Sequence, residues 1–355
     1  MNRQVQHTSQ THLGENLSGS KLDRRAFLRV GVASTVASLP LWNATPAHAA
    51  DASAPTVSTP PLPIVDARFP CRIADGIWII PDKRTPLVPN IGIIEGSKAV
   101  LVIDAGFTLE SGRNVFDAAR AIAGHRDLIL TVTHAHPEHT FGAQAFQGHA
   151  RIYYNKLQRD YLARNGEKLL AGFRTMLPPG RGSLLDGVKV TLADDVYEGG
   201  HASLDLGGRQ VEFWTLGIAH SPGDQVITIP DQKVTFAGDL IEERMFPIVP
   251  FFPPLIEVAD IDVRTWQTAL TKISAQSPHI VVPGHGNLGG TEIADQVRTY
   301  LENTRKLVAA SGGGKGVGTD TPSNLERQVR EEHPTWERTE FIAPALRYFE
   351  EQPGA

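Results

Sequence analysis

The chain has 355 residues, 41% of them hydrophobic and 21% charged. That balance can bury one large core or two medium ones, and it excludes a fibre or a wholly disordered chain. The formal net charge is −5 with no basic run, which excludes nucleic acid as a partner, and the single cysteine, Cys71, excludes an intramolecular disulfide.

The first fifty residues differ from the rest. "KLDRRAFLRV" places Arg24-Arg25 before Phe27-Leu28 and a mildly apolar run from Val30 to Trp42, and "AHAA" at Ala47 to Ala50 supplies small residues suited to cleavage. Residues 1–49 resemble a twin-arginine export signal cut after Ala49. The resemblance implies a periplasmic or secreted protein that engages the twin-arginine export machinery after folding, a route that suits a metalloprotein. Cleavage there removes five basic and two acidic side chains and moves the net charge from −5 to −8. The apolar run has 13 residues, short of the ~20 that cross a bilayer, so no permanent membrane span is expected.

Residues 50–64, rich in Ala, Ser, Thr and Pro, read as a flexible linker, and the folded domain is expected over 65–310. "DGIWIIP", "NIGIIEG" and "AVLVIDAG" are β-branched runs punctuated by Gly and Pro, the pattern of successive strands. Val115, Phe116, Ala119 and Ile122 recur at helical spacing over 112–123, and "DLILTVTH" reads as a strand buried on both faces. A helix across 155–177 precedes a second group of strands, "GVKVTL", "RQVEFWTLG", "DQVITIP" and "KVTFAGD". Val263, Trp266, Leu270 and Ile273 mark a further helix with Asp260 or Asp262 as N-cap. "HIVVPGHG" is the last strand, and a long helix follows over 291–310. "SGGGKGVG" lacks the spacing of a phosphate loop and reads as a linker, so that 311–355 is linker plus a C-terminal helical segment. Its helix is expected over 334–349, packed by Trp336, Phe341, Leu346 and Phe349.

The stretch "THAHPEHT" concentrates three of the chain's 13 histidines. His134 and His136, at i and i+2 of an ending strand, project to the same side. Pro137 suits the first position of a helix, which puts Glu138 and His139 in its first turn. Four metal-capable side chains thus gather at one corner, a pattern that packing alone does not require. His220 in "GIAHSPGD", Asp239 in "FAGDL" and His285 in "PGHG" follow at intervals of 81, 19 and 46 residues, each in a turn after a strand.

In that order and context the residues resemble the metallo-β-lactamase superfamily, with its His-x-His-x-Asp-His, His, Asp, His pattern. The resemblance covers about residues 65–310 and includes the flanking "DAG", "AHSPGD", "AGD" and "PGHG". It implies an α/β (α+β) fold, a four-layer αββα sandwich with the active site at one edge between the sheets. It further implies that His134, His136 and His220 bind one metal, that Glu138, His139 and His285 bind a second, and that Asp239 bridges them. This set is closer to glyoxalase II than to the β-lactamases, which commonly lack the bridging Asp. Glu138 stands where the family has Asp, and its extra methylene moves the carboxylate outward by about 1 Å, which bears on whether one or two metals bind. Zinc suits this donor set best, with iron or manganese next. Zinc held by imidazoles lowers the pKa of bound water to about 7, and Glu138 and Asp239 are the residues expected to orient that nucleophile.

The expected function is a periplasmic metal-dependent hydrolase that uses metal-bound hydroxide on a small ester, thioester, lactone or amide. The alternatives are a β-lactam hydrolase, a mononuclear iron oxygenase of sulfur compounds, and a non-catalytic binding module. "MFPIVPFFPPLIE", residues 245–257, has three Phe and four Pro. It either packs on its own domain or lines the site mouth for an apolar substrate. Arg244 and His201 are further candidates for polar substrate contacts.

Overall fold

The computed structural model describes residues 60–250, 260–312 and 322–352. The signal expected over 1–49, most of the linker expected over 50–64, the second half of the Phe/Pro loop and the Gly-rich stretch from 313 lie outside the described residues.

The apolar runs build two sheets. The first holds β1 (Cys71–Ala74), β2 (Ile77–Ile80), β3 (Ile91–Glu95), β4 (Ala99–Ile103), β5 (Asp127–Thr131), β6 (Arg151–Asn155) and β7 (Asp195–Tyr197) in chain order, with β1 to β4 antiparallel and β4 to β7 parallel. The second holds β8 (His201–Asp205), β9 (Gln210–Trp214), β10 (Val226–Ile229), β11 (Val234–Glu242) and β12 (Ile280–His285) in the order β12-β11-β10-β9-β8. Only the β11–β12 pair is parallel in it. The inner faces meet in one buried cluster, with Ile79, Leu101 and Ile103 from the first sheet against Phe213, Ile227 and Phe236 from the second. Each such side chain stabilises the fold by roughly 1.5–3 kcal/mol on burial.

Helices cover both outer faces. α1 (Leu109–Ala123) packs on β3 to β5, and α3 (Lys156–Met176) on β6 and β7. α4 (Val263–Ala275) and α5 (Glu292–Ala310) pack on β11, and the C-terminal α6 (Pro322–Glu332) and α7 (Ile342–Glu351) pack beside α5. The result is the four-layer αββα order expected above. α1 starts where the Thr108 hydroxyl accepts from the Ser111 amide at 2.9 Å, and buries Val115 and Ala119. α4 starts at Asp262, whose carboxylate accepts from the Thr265 amide at 2.9 Å, while Asp260 instead accepts from the Tyr161 hydroxyl at 2.8 Å.

Several expectations are corrected. "GVKVTL" is not a strand. Its apolar residues alternate in sequence, but Val188 and Thr191 are the buried pair, the Lys189 amide donates to the Gln144 side chain at 2.7 Å, and Val190 packs against Gly166 of α3. Among the described residues, no neighbouring strand takes up its backbone. β1, β6, β7 and β8 were not expected; β8 is a mostly exposed edge and β7 has three residues, so neither shows an apolar pattern. The C-terminal helix starts at Ile342 rather than 334, and an extra helix, α6, precedes it. Trp336 lies outside both, its ring 4.2 Å from that of His333 and 5.4 Å from that of Phe246. In the described half of the Phe/Pro loop, Met245, Phe246, Ile248 and Val249 are buried in the chain's own core.

Candidate metal centre

Four chain segments arrive at one edge. Asp104 follows the end of β4, β5 leads to the histidine corner, β11 carries Asp239 in its middle, and β12 ends on His285. The strand expected to run into His134 stops at Thr131, so His134 and His136 sit in the connecting turn. α2 (Pro137–Thr140) then begins with Pro137 at its first position and His136 as N-cap, and it carries Glu138 and His139. The Thr140 hydroxyl donates to the His136 carbonyl at 2.9 Å and closes this short turn. Close approach of α1 holds the corner from behind: a Cβ on Gly112 would lie 2.0 Å from the Gly142 carbonyl oxygen.

His220 comes from the loop before β10. There the Asp224 carboxylate accepts from the Ser221 amide at 2.8 Å and the Ser221 hydroxyl at 2.7 Å. Two buried glutamines clamp that loop to the corner. The Gln158 amide side chain donates to the carbonyls of Val132, Thr133 and Gly223, and that of Gln225 donates to Val132 and to the Thr131 hydroxyl.

The structure brings all seven candidates together, and all seven are buried. They form two donor sets that share Asp239: His134, His136, His220 and Asp239, and Glu138, His139, Asp239 and His285. Within each set the ligand atoms lie within 4.8 Å of one another, comparable with the roughly 4 Å across a zinc ligand sphere. Asp239 Oδ2 is 3.6 Å from His285 Nε2, 3.7 Å from His134 Nε2 and 4.0 Å from His220 Nε2, and its Oδ1 is 3.3 Å from His139 Nε2. His136 Nδ1 and His220 Nε2 are 3.2 Å apart.

These residues fit a divalent cation. The Nε2 atoms of His134 and His139, Oε2 of Glu138 and both Asp239 oxygens are buried with no hydrogen-bond partner among the described residues. Leaving so many polar atoms dry and unpaired is costly, and a cation between them removes that cost. Burial, then neighbouring imidazoles, push His134 and His136 well below the usual histidine range. Burial takes His220 down to about 4 and His285 to about 3 against the pull of Asp239. The neutral ring that results is the form that ligates a metal. His139 goes the other way, because Asp239 and Asp104 outweigh its burial. Burial opposes the charge on Asp239, yet His139, His285 and His134 hold its carboxyl well below its usual value. Glu138 is raised by burial.

Asp104 is the main functional residue that sequence reasoning left without a role. Its carboxylate accepts from the Thr133 amide at 2.7 Å and from His139 Nδ1 at 2.9 Å, which leaves Nε2 of that ring facing Asp239. The flanking "DAG" was the available signal, but spacing alone does not say which ring the carboxylate meets. Gln158, Gln225 and Trp266 were also missed; the Trp266 ring lies 5.0 Å from that of His220. Arg244 and His201 are both exposed, and neither has a polar contact to the seven residues.

A sequence model of the metallo-beta-lactamase superfamily matches residues 84–285. A metallo-beta-lactamase type 2 of Bacteroides fragilis is 29% identical over 110 residues, 29% of this chain and 42% of that protein. An acyl-coenzyme A thioesterase, MBLAC2, of Bos taurus is 27% identical over 239 residues, 62% of this chain and 81% of that protein. The chain therefore spans less than half the length of the Bacteroides enzyme it matches. Among solved structures, a metallo-beta-lactamase from Pontibacter korlensis superposes with a TM-score of 0.52 at 19% identity, covering 66% of this chain and 99% of the other. The matched segment contains the histidine corner, His220, Asp239 and His285, and by that match this chain belongs to the metallo-β-lactamase superfamily.

Proposed function

We propose that the chain is a periplasmic hydrolase that holds two zinc ions and cleaves a small ester, thioester, lactone or amide. Its ligand set is glyoxalase II-like with Glu138 in place of Asp, and its catalytic domain spans 65–310. One observation carries the reading: two buried donor sets meet on the single carboxylate of Asp239. A bound divalent cation supplies Lewis acidity and lowers the pKa of a coordinated water to about 7. The chain's own residues do the rest. Asp239 presents both oxygens inward and, with Glu138, orients the attacking water. Asp104 fixes the His139 ring, the two glutamine clamps hold the His220 loop, and Trp266 packs against His220. A thioester among these substrates is supported by the bovine relative, whose name is that of an acyl-coenzyme A thioesterase. The address is supported by Arg24-Arg25 and the small residues at Ala47 to Ala50.

The test is metal analysis of zinc-reconstituted protein together with a substrate screen. The screen covers ester, thioester, lactone, β-lactam, phosphodiester and sulfate substrates, with His136→Ala as the inactive control. Close to two zinc per chain and turnover of an ester or thioester are expected. Under half an equivalent of metal, or iron at one per chain with oxygen uptake, would overturn the proposal.

A further inference from the structure

The family match runs over residues 84–285, and its two end residues, Arg84 and His285, meet through Glu243. The His285 carbonyl accepts from the Glu243 amide at 2.8 Å, and the Glu243 carboxylate accepts from the Asn287 amide at 3.0 Å. Glu243 therefore grips the turn on both sides of Gly286. A Cβ on Gly286 would lie 2.6 Å from the Glu243 carbonyl oxygen, and Gly286 itself adopts φ 93°. Only a residue without a side chain allows that approach.

The chain before β3 holds the same turn from another side. The Asp82 carboxylate accepts from the Gly286 amide at 2.9 Å. The Asn90 side chain donates to the carbonyls of Pro283 and Gly286 at 3.0 and 2.9 Å, and the Asn90 amide donates to the Gly284 carbonyl at 2.8 Å. Arg84 joins the two grips. Its Nη2 donates to Glu243 Oε2 at 2.5 Å, and its amide donates to the Asp82 carboxylate at 3.1 Å. Lys83 and Arg84 both have left-handed backbones, φ 51° and 54°, a conformation that side chains of this size keep only where the surroundings fix it.

The Arg84 and Glu243 side chains are 26% and 10% exposed, against 46% and 54% for the Arg151 and Asp195 pair on the edge of the first sheet. Exposed pairs contribute little to stability, whereas breaking a largely buried one leaves a charge without its partner. Arg84 also lies 3.2 Å from Glu337 of the C-terminal segment, but that carboxylate is half exposed, so the stronger hold is the one on Glu243.

We propose that Arg84 is a positioning residue for His285. Paired with Glu243, it fixes the turn over 285–287 so that His285 Nε2 stays 3.6 Å from Asp239 Oδ2, and it thereby sets the metal affinity of the Glu138, His139, Asp239 and His285 set. The proposal rests on the two-zinc reading for its metal, and its test separates the two.

Full chain, stripped of metal and titrated with zinc against a chromogenic chelator, is compared as wild type, Arg84→Gln, Arg84→Lys and Arg151→Gln. Wild type and Arg84→Gln are also compared with His285→Ala added. Hydrogen exchange of the zinc-free proteins, read by mass spectrometry, follows peptides that carry the Gly286 and Asn287 amides. Thermal midpoints show whether each variant folds; if Arg84→Gln does not, Arg84→Lys decides by the same readouts. In Arg84→Gln one zinc affinity should fall about 10- to 100-fold, the scale of losing a partner behind a ligand. The other should stay within about twofold, and the turn should exchange faster. Arg84→Lys, which keeps the charge and loses the planar fork, should be intermediate, and Arg151→Gln should behave like wild type. With His285→Ala in place, Arg84→Gln should change zinc binding by less than about twofold, because the two residues act on one site. Unchanged exchange in the turn, faster exchange with both zinc affinities intact, or an equal fall at both sites overturns the proposal. A wild type that binds a single zinc, with turn exchange that still depends on Arg84, leaves the hold on His285 standing and counts against the two-zinc reading instead.

Discussion

Asp104 adopts a left-handed backbone, φ 67°, and from there its carboxylate turns back onto Thr133 and His139. The charge holds the His139 Nδ1–H, so Asp104→Asn keeps the shape but loses the acceptor that selects the ring's tautomer. We expect zinc affinity at the Glu138 and His285 set to fall about 10- to 100-fold, measured by competition with a chromogenic chelator. An unchanged affinity would refute the orienting role. Gly284 is a second sensitive position, since a Cβ there would lie 1.8 Å from Asp239 Oδ1. Gly284→Ala should therefore displace the shared carboxylate and lower zinc content to one equivalent or less by atomic absorption. At this scale the ligands were legible and their supports were not. His134, His136, Glu138 and His139 announce themselves by spacing, whereas Gln158 and Gln225 act on backbone carbonyls, which no residue pattern encodes.

Most elements that bury a whole face were readable and most edges were not, although β6, with four of its five residues buried between β5 and β7, was not expected. β4 and β11 are buried along their full length, so their apolar runs stand out. β8 alternates between exposed and half-buried positions, and "GVKVTL" has the alternation of a strand without a partner to pair with. α4 was legible from its apolar stripe, but its role at the site was not. Trp266 reads as one more core residue, yet its indole N–H donates to the Leu240 carbonyl at 2.9 Å beside Asp239, and its ring supports His220. Trp266→Ala should cost about 3–5 kcal/mol of stability, as for a large aromatic removed from a packed core, read from denaturant unfolding. It should also lower zinc affinity at the His134, His136 and His220 set. Loss of stability with full zinc affinity would show that α4 supports the fold alone.

For the molecule as a whole, metal and protons compete for the same buried polar atoms. Chelation of zinc from the zinc-reconstituted protein should lower the thermal midpoint. Each tenfold rise in free zinc above its Kd should restore about 1.4 kcal/mol, since binding to the folded state alone stabilises it by mass action. The metal-free chain should also show a pH dependence set by buried carboxyls away from the ligands. Burial raises Asp260 from 3.8 to about 6, even though the Tyr161 hydroxyl donates to it. Between those two values the folded state holds a proton that the unfolded chain releases, so stability falls as pH rises. The contribution is fully present below about pH 4 and is lost by about pH 6, a change of about 3 kcal/mol at 1.36 kcal/mol per unit. Asp260→Asn keeps the partner of Tyr161 but cannot ionise, so its unfolding free energy should be flatter than wild type between pH 4 and 6. Parallel profiles for the two proteins, measured by urea unfolding in chelator, would show that Asp260 does not titrate in this range.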